Sequence, residues 1–219
     1  MEQLTTIQSI AVWILPVIFA ITVHEVAHGY VAYLLGDKTA KVLGRLSFNP
    51  VKHIDLLGTI VVPIALLLIN SGVVVGWAKP VPINSRYLKK PKRDLALIAA
   101  AGPCANLLML LFWGAIAKTG MLLLHAFDAY WAQGIMYMGV AGININLILL
   151  LINLLPIPPL DGGHVIAGLL PKKIARRFER IAPFGFFLIL FLVAIGAIGF
   201  LLGPLLHYLL DLVSKLFGL

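Results

Sequence analysis

Apolar residues fill five long stretches of this chain, about residues 7–36, 56–76, 94–117, 134–155 and 182–213. Most are long enough for the ~20 residues that a membrane-spanning helix needs, and none alternates with the period of a strand. The pattern predicts an all-α polytopic membrane protein, a bundle of about four to six transmembrane helices. The first helix stops at Gly36-Asp37. Residues 56–76 contain Pro63 and an Asn70-Ser71-Gly72 turn signal and have basic flanks on both sides, which predicts a re-entrant segment rather than a span. The stretch 94–117 carries Gly102-Pro103 and leads to a short connection at 119–133. The next, 134–155, returns to Pro156-Ile157-Pro158-Pro159-Leu160-Asp161-Gly162-Gly163. The last stretch holds Gly196, Gly199, Gly203 and Pro204, and reads either as one long kinked helix or as a hairpin. Between the first two stretches, residues 40–57 mix Val42, Leu43, Leu46 and Phe48 with Gly44, Asn49 and Pro50, which predicts a small β-hairpin at the membrane surface.

Composition agrees. Of 219 residues, 61% are hydrophobic and 12% charged, against about 25% charged in a soluble domain. The net charge of +8 does not point to nucleic acid, because fifteen of the seventeen Lys and Arg residues fall in three short segments. These are Lys38 to Lys52, Lys79 to Arg93 and Lys172 to Arg180. Cytoplasmic loops are enriched in this way, so all three are expected on the cytoplasmic side of a plasma-membrane protein. The first residues lack a basic n-region and a cleavage site, so the first helix is expected to be retained. The single cysteine, Cys104, rules out an internal disulfide and is read as packing. No internal repeat is visible, and residues 1–219 read as one membrane-embedded domain.

The candidate chemistry begins with His24-Glu25-Val26-Ala27-His28, inside the first apolar helix. Ionisable residues at such depth cost free energy and are rarely kept without a function. Residues i and i+4 lie one turn apart on one helix face. His24 and His28 can therefore hold one zinc ion, with Glu25 beside them as general acid/base.

A catalytic zinc site normally has a third protein ligand. Asp161 is the best candidate, since His53 lies in the surface loop and His125 and His207 lie towards the opposite side. The prolines before Asp161 cannot continue a helix, and open backbone at membrane depth is tolerated only in protein or beside a wet cavity. An Asp capping the short helix after it is the plainer reading. Topology offers a check: with residues 56–76 re-entrant, two crossings separate Asp161 from the histidines and leave them on one side. Asn106 and Asn153 are candidates for oxyanion stabilisation or substrate binding, against ordinary hydrogen bonding between helices. Asn144 and Asn146 read as structural.

HEVAH, AGPCAN at 101–106 and NLLPIPPLDGGH at 153–164 together resemble the site-2 proteases, which are intramembrane zinc metalloproteases. GRLSFNPVKHIDLLGTI and GWAKPVPIN resemble the compact prokaryotic branch, without PDZ or CBS domains. The resemblance implies one zinc per chain on His24, His28 and Asp161, Glu25 as the catalytic acid/base, and Asn153 in substrate or oxyanion binding. It also implies that the substrate is a membrane-spanning helix in the lipid bilayer, cleaved near its cytoplasmic end in regulated intramembrane proteolysis. It leaves room for a homo-oligomer or a regulatory membrane partner. The rival readings are a zinc-binding membrane transporter and a scaffold that has lost catalysis. A transporter fits less well, because only one broken helix carries an acid. A scaffold would have lost the base or a ligand first, and all four residues are present.

Overall fold

The computed structural model describes residues 4–68 and 76–219. Helix α1, Thr6–Leu34, starts on a capping box in which Thr5 Oγ1 accepts from the Gln8 N–H and Gln8 Oε1 accepts from the Thr5 N–H. At ~1.5 Å per residue it is long enough to cross the ~30 Å hydrocarbon core with length to spare. After the helical turn α2, Thr39–Val42, a 3₁₀ turn at Pro50–His53 leads to a π-helical segment, Leu56–Val61, that runs into α3, Val62–Leu68. Two long helices follow, α4 (Pro91–Phe127) and α5 (Ala132–Asn153), an antiparallel pair joined at Asp128, whose φ of 48° turns the chain.

Leu110, Trp113 and Ala117 of α4 pack with Ile143, Leu147 and Leu151 of α5 and with Val213 of the last helix. Helix α1 packs on both α4 and α5. Two shorter helices, α6 (Asp161–Leu169) and α7 (Lys172–Glu179), come next, then α8 (Ala182–Ala194) and α9 (Ala197–Phe217). The Lys118 ammonium donates to the carbonyl of Gly218 at 3.1 Å, so α9 runs in the same direction as α4. Among the described residues, four helices are long and apolar enough to span a membrane: α1, α4, α5 and α9. Their outward faces carry large apolar side chains such as Ile10, Phe112 and Phe200, as lipid contact requires.

Several expectations change. No strand occurs among the described residues, so the β-hairpin at 40–57 is not formed. Gly44, at φ 64°, ends the turn after α2, and Lys52 Nζ donates to its carbonyl at 2.8 Å. Pro50 opens the 3₁₀ turn, with the Asn49 side chain capping the Val51 N–H; a proline there cannot donate to a ladder. The connection expected at 119–133 shrinks to 128–131, because Thr119 and His125 satisfy their polar atoms on the carbonyls of Ala115 and Met121 and leave α4 intact. Cys104 is exposed on the outer face of α4 rather than packed. The last stretch is broken at Gly196, whose φ of 74° separates α8 from α9.

The re-entrant expectation agrees with the described ends of that segment. The Trp77 N–H donates to the carbonyl of Gly58 at 3.1 Å, and the Thr59 hydroxyl donates to the carbonyl of Trp77 at 2.9 Å. The chain therefore leaves and returns at one place. Its Asn70-Ser71-Gly72 turn lies outside the described residues.

Candidate active site

Three side chains from two helices converge on one point. His24 and His28 come from adjacent turns of α1, and Asp161 from the first turn of α6. The two Nε2 atoms are 3.0 Å apart. Asp161 Oδ2 lies 3.3 Å from His24 Nε2, and Oδ1 lies 3.4 Å from His28 Nε2. This is the one such cluster of three metal-ligating side chains among the described residues. His53 bonds to the Ser47 carbonyl in its loop, and His125 and His207 bond to carbonyls of their own helices.

The outer contacts of the histidines decide what the inner ones offer. His24 Nδ1 donates to Asn106 Oδ1 at 2.7 Å, and His28 Nδ1 donates to the carbonyl of Ile98 at 2.7 Å. With both Nδ1 protons placed, the neutral rings turn two Nε2 lone pairs toward each other and toward a carboxylate. Asp161 Oδ2 is buried and accepts no hydrogen bond. Lone pairs facing an unpartnered anionic oxygen are a donor set for a cation, and two imidazoles with one carboxylate suit zinc.

Helix α4 shapes this pocket. A Cβ at Gly102 would lie 2.5 Å from both His24 Cε1 and His28 Nε2, so the missing side chain lets α4 reach the imidazoles. Pro103 next to it cannot donate to the Ala99 carbonyl, and the neighbouring carbonyl of Ile98 is the one that holds His28. Asn106 is fully buried, and its Nδ2 donates to Asn146 Oδ1 at 2.9 Å. Asn146 in turn donates to the carbonyl of Gly142. Asn106 therefore faces the back of His24, and it is not among the residues that line the cavity. Asn153, at the end of α5, does line the cavity, with its Nδ2 bonded to the carbonyl of Leu149 at 3.0 Å.

Glu25 meets an element that the sequence did not flag. The Val81 N–H donates to Glu25 Oε2 at 3.0 Å. Val81 sits in an extended strap between Pro80 and Pro82, which carry no N–H. Arg45 Nη2 clamps the strap by donating to the Lys79 carbonyl at 2.8 Å, and the Lys79 N–H donates to the carbonyl of His53. Further along, Asp37 receives the Asn84 N–H together with the hydroxyl and N–H of Thr39. The cluster opens into a cavity of about 590 Å³ walled by α1, α4, α6, α7 and this strap. His164, one turn beyond Asp161, also lines it; its i+3 spacing on α6 was the available signal.

Residues 115–193 match the sequence profile of Peptidase family M50. Over 94% of this chain and 90% of its own length, "Putative zinc metalloprotease YwhC" of Bacillus subtilis is 39% identical. The chain belongs to peptidase family M50, the site-2 proteases. The Rip2 proteins described in the same words are more distant M50 relatives. That of Mycolicibacterium smegmatis is 25% identical over 92% of this chain and 72% of its own. That of Mycobacterium tuberculosis strain H37Rv is 28% identical over 80% and 62%. No solved structure matches the chain. Membership makes this M50 chain a metalloprotease of the site-2 type, a multi-pass membrane protein, and sets aside the transporter.

Proposed function

We propose that this M50 chain hydrolyses a peptide bond in transmembrane segments of membrane-protein substrates, near the cytoplasmic side of the plasma membrane, using one zinc ion. His24, His28 and Asp161 hold the ion, Glu25 is the general acid/base, and Asn153 steadies the substrate backbone. Residues 1–219 act as one membrane-embedded domain. The observation that carries the reading is the convergence of two freed Nε2 lone pairs and an unpartnered carboxylate oxygen at the head of a cavity.

A zinc ion held by His24, His28 and Asp161 would supply Lewis acidity and make a water acidic enough to serve as a nucleophile at neutral pH. Glu25 would act as the general acid/base, taking a proton from the attacking water and delivering it to the leaving nitrogen. The Val81 N–H holds one carboxylate oxygen of Glu25 and leaves the other to face the reaction. Asn153 keeps Oδ1 free to accept from a substrate N–H, since its Nδ2 is tied to its own helix. The cytoplasmic assignment is supported by the meeting of the three basic segments. Arg45 holds Lys79, while Lys92, Lys172 and Arg176 line the same cavity.

Zinc per protein, measured on the detergent-purified chain, tests the reading. One zinc in the wild type and in Glu25→Gln, little in Asp161→Ala, and cleavage of a transmembrane substrate lost in both variants is the expected result. Full zinc in Asp161→Ala removes Asp161 as a ligand.

A further inference from the structure

The same cavity has a second end, and it is basic. Each helix that walls it does so with one stripe of residues three to four apart, the spacing of a single helix face. On α4 the stripe runs from Ala99 and Leu95 to Lys92; on α6 it runs from Asp161 to Gly168. Helix α7 then contributes Lys172 and Arg176, one turn apart. Gly168 brings α6 against α4, since a Cβ there would lie 3.1 Å from the Lys92 carbonyl. The basic end is therefore fixed relative to the metal-ligating end by two rulers. From Asp161 to Gly168 is seven residues, and from Ile98, which holds His28, to Lys92 is six. At ~1.5 Å per residue both give roughly 10 Å.

Lys92, Lys172 and Arg176 face one acid of the cavity wall at that end, Glu179, and none of the three lies within ion-pair distance of a carboxylate among the described residues. Three unneutralised cations around a cavity raise the local concentration of an anion and favour its retention. Helix α7 divides its charge: Lys173 and Arg177, with Arg180 just after it, do not line the cavity and are available to lipid headgroups, whereas Lys172 and Arg176, though exposed, line its mouth.

We propose that this basic end is a specificity subsite for an acidic side chain of the substrate. An extended chain advances ~3.3 Å per residue, so ~10 Å places that acid about three to four residues from the scissile bond, on its cytoplasmic side. Juxtamembrane segments on that side are normally rich in Lys and Arg. A carboxylate there distinguishes a substrate from the general population of membrane helices. The proposal rests on the protease reading for the direction of the substrate, and is tested apart from it.

The test uses the full chain in phosphatidylcholine nanodiscs and one transmembrane peptide series. The residue three or four positions cytoplasmic of the cleaved bond is Glu, Gln or Lys. Binding is measured on Glu25→Gln by fluorescence, and cleavage on the wild type. The expected result is a preference of about tenfold for Glu over Lys in Kd and in kcat/KM, inverted by the pair Lys172→Glu and Arg176→Glu and abolished by Lys172→Gln with Arg176→Gln. Equal binding of the three peptides overturns the subsite, as does a preference that the charge reversal leaves in place. Rates that follow added anionic lipid and ignore peptide charge assign these cations to headgroups and also overturn it. Charge-selective binding with no cleavage of any peptide by the zinc-loaded wild type leaves the subsite standing and sinks the protease reading.

Discussion

His24 Nδ1 and Asn106 Oδ1 lie 2.7 Å apart, joining the first helix to the fourth at the back of the metal-ligating cluster. The bond fixes which nitrogen carries the proton and leaves Nε2 free. Partners of this kind are worth about 10–100-fold in metal affinity. Asn106→Ala is expected to weaken zinc binding by roughly that factor, read by competition with a chromophoric chelator. Asn106→Asp keeps an acceptor and is expected to bind more tightly than the alanine variant. Equal affinity in all three proteins would return Asn106 to a packing role.

Gly102 lies where α4 passes against the two imidazoles. A Cβ there would meet His24 Cε1, His28 Nε2 and His28 Cε1, all at 2.6 Å or less. Gly102→Ala is expected to displace the rings, removing most of the zinc and the protease activity with little loss of helix content by circular dichroism. Normal zinc occupancy in a folded alanine variant contradicts this packing.

Much of this was legible because membrane helices and HExxH have short periods. A four-residue spacing gives two imidazoles on one face whatever surrounds them, and counting crossings brings Asp161 to their side. Residues 40–57 misled because Val42, Leu43, Leu46 and Phe48 have strand-like character. Their conformation is set instead by Gly44 with its bond from Lys52 and by Pro50. Asn106 was singled out as an amide within an apolar stretch, but residue type does not say which way an amide points; its two bonds, to His24 and Asn146, decide that. The Val81 contact was invisible for a different reason. It is made by a backbone N–H, fifty-six residues from Glu25, and side-chain identity carries no signal of it.

Asp37 ties the end of α1 to the strap. It is fully buried, and burial pushes its carboxyl up, but the Thr39 hydroxyl and the Asn84 and Thr39 N–H groups outweigh this and hold it below its ordinary value. A depressed folded-state value contributes stability that is present above the unfolded value of ~3.9 and is lost as pH falls through the folded one. The melting temperature of the wild type in detergent is expected to fall below about pH 4, and that of Asp37→Asn to fall less over the same window. Asp37→Ala strands three donors and is expected to lose about 1–3 kcal/mol at neutral pH. Parallel pH curves for wild type and Asp37→Asn would remove Asp37 from the acid response.

Glu25 is oriented by a single backbone donor, so its contribution can be separated from that of the metal. A hydrogen bond to a charged group is worth about 1.5–3 kcal/mol, which is roughly 10–100-fold in rate if it holds the base in its working position. Val81→Pro deletes the N–H and keeps an apolar residue in a strap that already has proline on both sides. Its kcat is expected to fall by roughly that factor, with zinc content unchanged and KM little altered. Val81→Ala keeps the N–H and trims the side chain that packs over Gly29, so it reports the cost of lost packing alone. If the alanine variant loses as much kcat as the proline one, the strap acts through packing on α1. If only the proline variant is slow, the Val81 N–H is part of the catalytic apparatus, and Arg45, which holds Lys79 and Pro80, becomes the next residue to truncate.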